Sequence, residues 1–366
     1  MGIVREKATR KLIRNLLIFI GLIIITFGLI FKDQDMNKLY SIIMSVDKRF
    51  LLLGIALMMI TYLIESYNVR AILIALGDKK ISMLNAIKYT MIGFFFSAIT
   101  PAATGGQPVE VYYMTKDRIQ GGNATMALLL QLCGFQISTI SLGIICAIIN
   151  PQILADGLIW FFLLGITING FALFMMLVCI FSERLTEKLV NIFMKILLFF
   201  KVKNVRPKIK TLREGLGKYK ESSVFIKSHK GEFIKAILRV FIQILIYYTI
   251  PYCVYKAFGL SDYTLLQVLP MQAVLYTIVS GLPLPGAIGV SETAFLKIFG
   301  TVFGIELLSS AVLLSRGVTF YLFVVVSLII VVINAIKKKN IKGEIDEQAL
   351  AYEREVENES INENVA

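Results

Sequence analysis

A chain of 366 residues with 57% hydrophobic side chains and a mean hydropathy of +0.74 is too apolar for a soluble domain, since soluble chains hold about 45–50% apolar residues and interrupt them with periodic charge. The formal net charge of +13 does not argue for nucleic acid as a partner, because lysine and arginine gather on the cytoplasmic loops of membrane proteins. The four cysteines stand singly within apolar runs and the one histidine, His229, lies in a basic loop. A zinc site, a Cys/His pair or a Ser/His/Asp triad therefore has no raw material, and neither metal nor cofactor is expected.

Taken in chain order, residues 1–14 form a basic N-terminus carrying Arg5, Lys7, Arg10, Lys11 and Arg14. The apolar run 15–31 ends on Lys32-Asp33 without a small-residue cleavage site, so it reads as a retained span and not as a signal peptide. Further apolar stretches over 50–76, 84–100, 124–149, 157–181, 233–258, 264–282 and 308–336 have the length of membrane helices. Lipid cannot satisfy backbone polar groups, so these stretches must be helical. Two shorter, more polar helices are predicted near 106–120 and 288–304. The expected fold is an all-α, polytopic helical membrane protein of about eight spans, with two broken or re-entrant helical hairpins in inverted-repeat relation.

The halves at 15–181 and 233–339 flank a basic connection at 182–232, which holds thirteen Lys/Arg against five Asp/Glu. Leu185, Leu189, Ile192, Phe193, Ile196 and Phe200 recur there at helical spacing. This suits amphipathic helices lying on an anionic leaflet, and equally a soluble helical hairpin. The segment 340–366 is an acidic tail without apolar periodicity and is expected to be disordered. Basic residues at the N-terminus, at 182–232 and at Lys337-Lys338-Lys339 place both termini in the cytoplasm, with the chain in the cell membrane. The loop at 150–156, without Lys or Arg, faces outward on the same rule.

Two Pro/Gly clusters interrupt the apolar sequence: SAITPAATGGQPVEVYYM at 97–114 and SGLPLPGAIGVSETAF at 280–295. Proline removes a helix donor and glycine frees the backbone, so both sites should unwind. Pro101 and Gly105 are four residues apart, as are Pro285 and Gly289, and each cluster soon supplies a carboxylate, Glu110 or Glu292. Matching interruptions in two halves point to a transporter's binding site. The same spacing also fits kinked spans with tightly packed glycines.

Charge within a span costs at least about 2.5–3.5 kcal/mol on insertion scales, so it marks a functional candidate. Glu65 lies well inside the second span on one face with Asn68. Arg70 and Arg239 are near enough to a span end to snorkel. Arg316 lies deep in 306–336, where it can pair with Glu292 or bind a phosphate through its fork of donors. Glu110 and Glu292 near helix starts can complement the macrodipole, hold a cationic headgroup or take up a proton. Tyr112 and Tyr113 fit either a headgroup path or an interfacial aromatic belt.

TPAATGGQP and PLPGAIGVSE, in this order, resemble the transmembrane region of lysylphosphatidylglycerol synthases and the stand-alone flippase-like membrane proteins that share it. The resemblance covers about residues 10–338. PLPGAIGVSE is similar to the family's Pro-Gly-x-x-Gly-x-x-Glu signature, SRG at 315–317 to its arginine in the last span, and 65–70 to the polar turn of its second span. It implies movement of an anionic or aminoacylated phospholipid between leaflets. The substrate-binding residues would then be Glu65, Arg70, Pro101, Gly105, Gly106, Gln107, Glu110, Pro285, Gly286, Gly289, Glu292 and Arg316. Full-length synthases add a cytoplasmic domain that transfers lysine from lysyl-tRNA to phosphatidylglycerol. The residues after Lys339 are too few for it, so no synthase activity is expected of this chain. The alternatives that the resemblance implies are lysyltransfer to phosphatidylglycerol after all, or a role as accessory subunit to a separate synthase protein.

Overall fold

The computed structural model describes residues 36–78, 81–100, 103–155, 157–182, 223–282 and 285–336, with scattered positions at 14–25 and 184–192. Most of the first apolar stretch, most of the basic connection and the whole acidic tail lie outside the described residues. What is described is helical, without a strand. Helix α1 spans Met36–Ser45, α2 Lys48–Ala75, α3 Met83–Ala98, α4 Gly106–Lys116, α5 Gly121–Ile149 and α6 Leu158–Phe181. Then come α7 at Lys230–Ala257 and α8 at Leu265–Ser280. The remaining helical stretch is broken where Gly304 takes φ 66°, ψ 165°. That break divides it into α9 at 290–303 and α10 at 305–336, which contains a π-turn at Gly317–Tyr321.

Local sequence explains where helices start. Asp47 accepts a bond from Arg49 N at 2.9 Å to cap α2, and Ser82 accepts from Asn85 N at 3.2 Å to cap α3. Thr264 and Gln267 form a reciprocal capping box at α8. Five helical segments, α2, α5, α6, α7 and the run through α10, are long and apolar enough to cross a membrane. The 16-residue helices α3 and α8 are instead arms of hairpins. In the first, α4 returns antiparallel along α3, with Glu110 seated against Gly93 and Gly106 against Ser97. In the second, α9 returns along α8 and buries Phe295 and Phe299 with Met271 and Leu275.

Each hairpin sits in its own core. Val69, Ile72, Leu73, Tyr89, Met114 and Leu130 enclose the first, and Val268, Leu275, Phe299, Phe303 and Val312 the second. A smaller cluster joins the two tips, packing Phe95, Ala98 and Ile99 against Ile288 and Phe320. Small residues set the helix spacings, as expected where lipid offers no hydrophobic drive between helices. A Cβ at Gly165 would come 2.3 Å from Thr277 O, and one at Gly134 3.0 Å from a Val240 methyl. Outward, α6 presents Trp160, Phe161, Phe171 and Phe174, a face suited to hydrocarbon and not to water.

Candidate functional site

The two breaks meet. A cavity of about 400 Å³ lies between the hairpin tips. Ser97, Ala98 and Ala103 of the first hairpin line it together with Ser280, Gly286 and Ser291 of the second. Both tips hold an alanine at positive φ, Ala103 at 53° and Ala287 at 51°. Non-glycine residues visit that region at a cost and persist there only when their surroundings impose it.

The second tip is organised around one carboxylate. Glu292 lies in the first turn of α9 and is wholly buried. Its Oε2 accepts from Gly289 N at 2.7 Å and Ser291 Oγ at 2.9 Å. Its Oε1 accepts from Arg316 Nε at 2.8 Å and Tyr321 Oη at 3.1 Å. One carboxylate therefore caps the helix start and neutralises the buried guanidinium, which are the two roles that burial of such a charge requires. Arg316 also donates from Nη2 to Gly286 O at 2.9 Å, and its guanidinium lies 4.4 Å from the Phe320 ring centroid. Arg316 also lines the cavity.

The π-turn explains how two donors five residues apart reach one oxygen. In an α-helix, positions 316 and 321 point to different faces; the i→i+5 turn, closed by Leu322 N donating to Gly317 O, stacks them. Gly286 is required twice over. Its φ is +57°, and a Cβ there would come 2.3 Å from Phe320 Cζ, the ring beneath Arg316.

The first hairpin is built differently. Glu110 stands past the first turn of α4, so it does not cap that helix and is not the counterpart of Glu292 that its position after the break suggested. Its carboxylate fills the space over Gly93, where a Cβ would come 1.7 Å from Oε1. It is 7% exposed, takes no hydrogen bond from a described residue, and does not line the cavity.

A chain of polar side chains leads to the cavity through the seam of α2, α5 and α7. Arg239 Nη1 donates to Asn68 Oδ1 at 3.2 Å, and Asn68 Nδ2 to Gln131 Oε1 at 2.5 Å. Gln131 Nε2 then donates to Gln243 Oε1 at 3.2 Å, and Gln243 Nε2 to Glu65 Oε2 at 3.0 Å. Each amide uses its carbonyl and its amino group, so the buried chain is satisfied along its length. Arg239 lies over the Tyr67 ring at 5.5 Å.

Of the residues predicted from sequence, Glu65, Gly286 and Arg316 line the cavity. Glu292 and Gly289 stand behind Arg316. Arg70 does not reach the site: its Nε donates to Ile81 O at 2.7 Å across the turn between α2 and α3. Gly105, Gly106 and Gln107 begin α4 away from the cavity wall, and Pro285 is buried at the tip. Pro101 lies outside the described residues. Tyr112 is half-exposed and meets the Tyr113 ring edge to face, away from the cavity. Sequence reasoning missed Tyr62, Gln243, Tyr247 and Tyr276 on the wall and Gln131 behind it. The available signal was amides inside otherwise apolar spans, which act as polar glue or as site residues.

These features define a polytopic helical membrane protein with a cavity held between two facing helical hairpins, lined by apolar side chains and a few polar and charged groups. The chain belongs to the family described as the lysylphosphatidylglycerol synthase TM region, whose pattern matches residues 14–327. It is also similar to a "UPF0104 membrane protein" of Archaeoglobus fulgidus, being 22% identical over 330 residues that cover 87% of this chain and 96% of the relative.

Proposed function

We propose that the protein moves a phospholipid, or a lipid-linked headgroup, between the two leaflets of the cell membrane, with both termini in the cytoplasm. The observation that carries this reading is the cavity between the hairpin tips, which Arg316 lines beside its buried counter-ion Glu292. A phosphodiester crossing a bilayer needs relief from the cost of charge in hydrocarbon, at least about 2.5–3.5 kcal/mol. A guanidinium supplies it through charge-assisted hydrogen bonds. The cavity is of headgroup size, so acyl chains would remain in lipid while the head passes the tips. The helices expected at 182–230 would rest on an anionic leaflet, and a separate synthase protein could deliver the lipid.

The test is reconstitution of the purified chain in liposomes with acyl-labelled phospholipid, following dithionite bleaching of the outer leaflet. Exchange faster than in protein-free vesicles, and slowed by Arg316→Gln, is the expected result. Rates equal to those of protein-free vesicles across anionic, zwitterionic and aminoacylated lipids would remove the proposal.

A further inference from the structure

Arg316 forms only one pole of the cavity. On the α2 wall stands Glu65, whose carboxylate accepts one hydrogen bond, from Gln243 Nε2, and forms no ion pair with a described residue. One helical turn earlier, Tyr62 lines the same cavity. It is 7% exposed, and its hydroxyl has no hydrogen-bond partner among the described residues. A buried hydroxyl left unpaired beside an unneutralised carboxylate is costly unless a ligand completes both. Tyr247 and Tyr276 add rings to the same wall, with centroids 5.3 Å apart. A carboxylate, a free hydroxyl and tyrosine rings are together the features that recognise an ammonium group.

Resting on the translocase reading, we infer that the Glu65–Tyr62 pole is an ammonium subsite. The headgroup accepted is then a zwitterion, with a phosphodiester at Arg316 and a single primary ammonium at Glu65, as in an ethanolamine head. A glycerol head would leave Glu65 and Tyr62 without a complement. Glu292 cannot serve as the cation site, because its oxygens already accept from four donors.

The test compares acyl-labelled phosphatidylethanolamine, its N-acetylated form and phosphatidylglycerol, both for leaflet exchange in liposomes and for retention by detergent-solubilised protein in native mass spectrometry. The ethanolamine lipid should exceed the other two by about tenfold, the scale of one hydrogen bond between charged groups. Glu65→Gln should bring it down to their level, and Tyr62→Phe should do so in part. Equal preference among the three lipids in the unaltered protein would overturn the inference, as would an equal loss for all three in Glu65→Gln. Retention that follows the ammonium without any exchange would uphold the subsite and remove the translocase reading. Exchange that ignores the ammonium would do the reverse.

Discussion

Replacing Glu292 by glutamine changes no heavy-atom count and removes one charge, so it isolates the electrostatics of the second tip. The carboxylate accepts four hydrogen bonds, two on each oxygen. An amide keeps one oxygen and turns the other position into a donor. If the nitrogen falls at Oε1, it faces Arg316 Nε–H; if at Oε2, it faces Gly289 N–H. In either placement at least one donor loses its acceptor, and the guanidinium loses its counter-ion in a site where its side chain is 13% exposed. Breaking a buried pair from one side costs about 3–5 kcal/mol. The measurement is unfolding of the purified protein in mixed micelles, with Glu292→Gln, Arg316→Met and the double variant forming a cycle. The double variant should lose less than the sum of the singles by about 2 kcal/mol, because no charge is then stranded. Additivity within about 0.5 kcal/mol would refute the reasoning, since separate sites behave that way.

Gly286→Ala should destabilise the protein by about 1–3 kcal/mol, through positive φ and displacement of Phe320, and should lower lipid exchange by loosening Arg316; thermal unfolding and the liposome assay read the two effects. Gly93→Ala should collide with the Glu110 carboxylate, and adding Glu110→Ala should recover most of the lost melting temperature, a rescue that a mere loss of helix flexibility would not show. Gln131→Leu should cost about 1–3 kcal/mol by stranding Asn68 Nδ2 and Gln243 Oε1, measured by micellar unfolding, whereas Thr167→Val on an exposed face should cost under about 0.5 kcal/mol.

The sequence made the helices and both breaks legible, because continuous apolar runs and paired Pro/Gly clusters are local signals. The predicted limits of the short helix near 288–304 agree with 290–303, where the break at Gly304 ends it. The pairing of Arg316 with Glu292 could also be anticipated, because two buried charges of opposite sign leave few other partners. Glu110 was misplaced because position after a break does not reveal depth along the following helix; only the antiparallel register with α3 sets it over Gly93. The chain from Arg239 to Glu65 joins residues up to 178 positions apart, and no local spacing encodes such a meeting. Tyr62 gave no signal either, since an unpartnered hydroxyl is a property of its surroundings.

The two hairpins are alike in outline but unlike in how their tips are held, and this difference has a consequence for exchange of amide hydrogens. The second tip is cross-tied: Glu292 joins α9 to α10, and Arg316 also holds the tip carbonyl of Gly286. At the first tip Thr100 Oγ1 donates to Phe96 O at 2.6 Å and accepts from Gly105 N at 2.9 Å, ties within the tip itself. Its carboxylate, Glu110, is seated by shape alone over Gly93. Opening of a segment is governed by the bonds that must break, so a tip cross-tied to a second helix should open only at a high free energy. Peptides covering 103–110 should therefore exchange faster than those covering 285–292 in micelles. Glu292→Gln should speed the second set and leave the first unaltered. If 285–292 exchanges faster in the unaltered protein, Glu292 does not clamp its tip, and the first hairpin is not the part that yields when a headgroup passes.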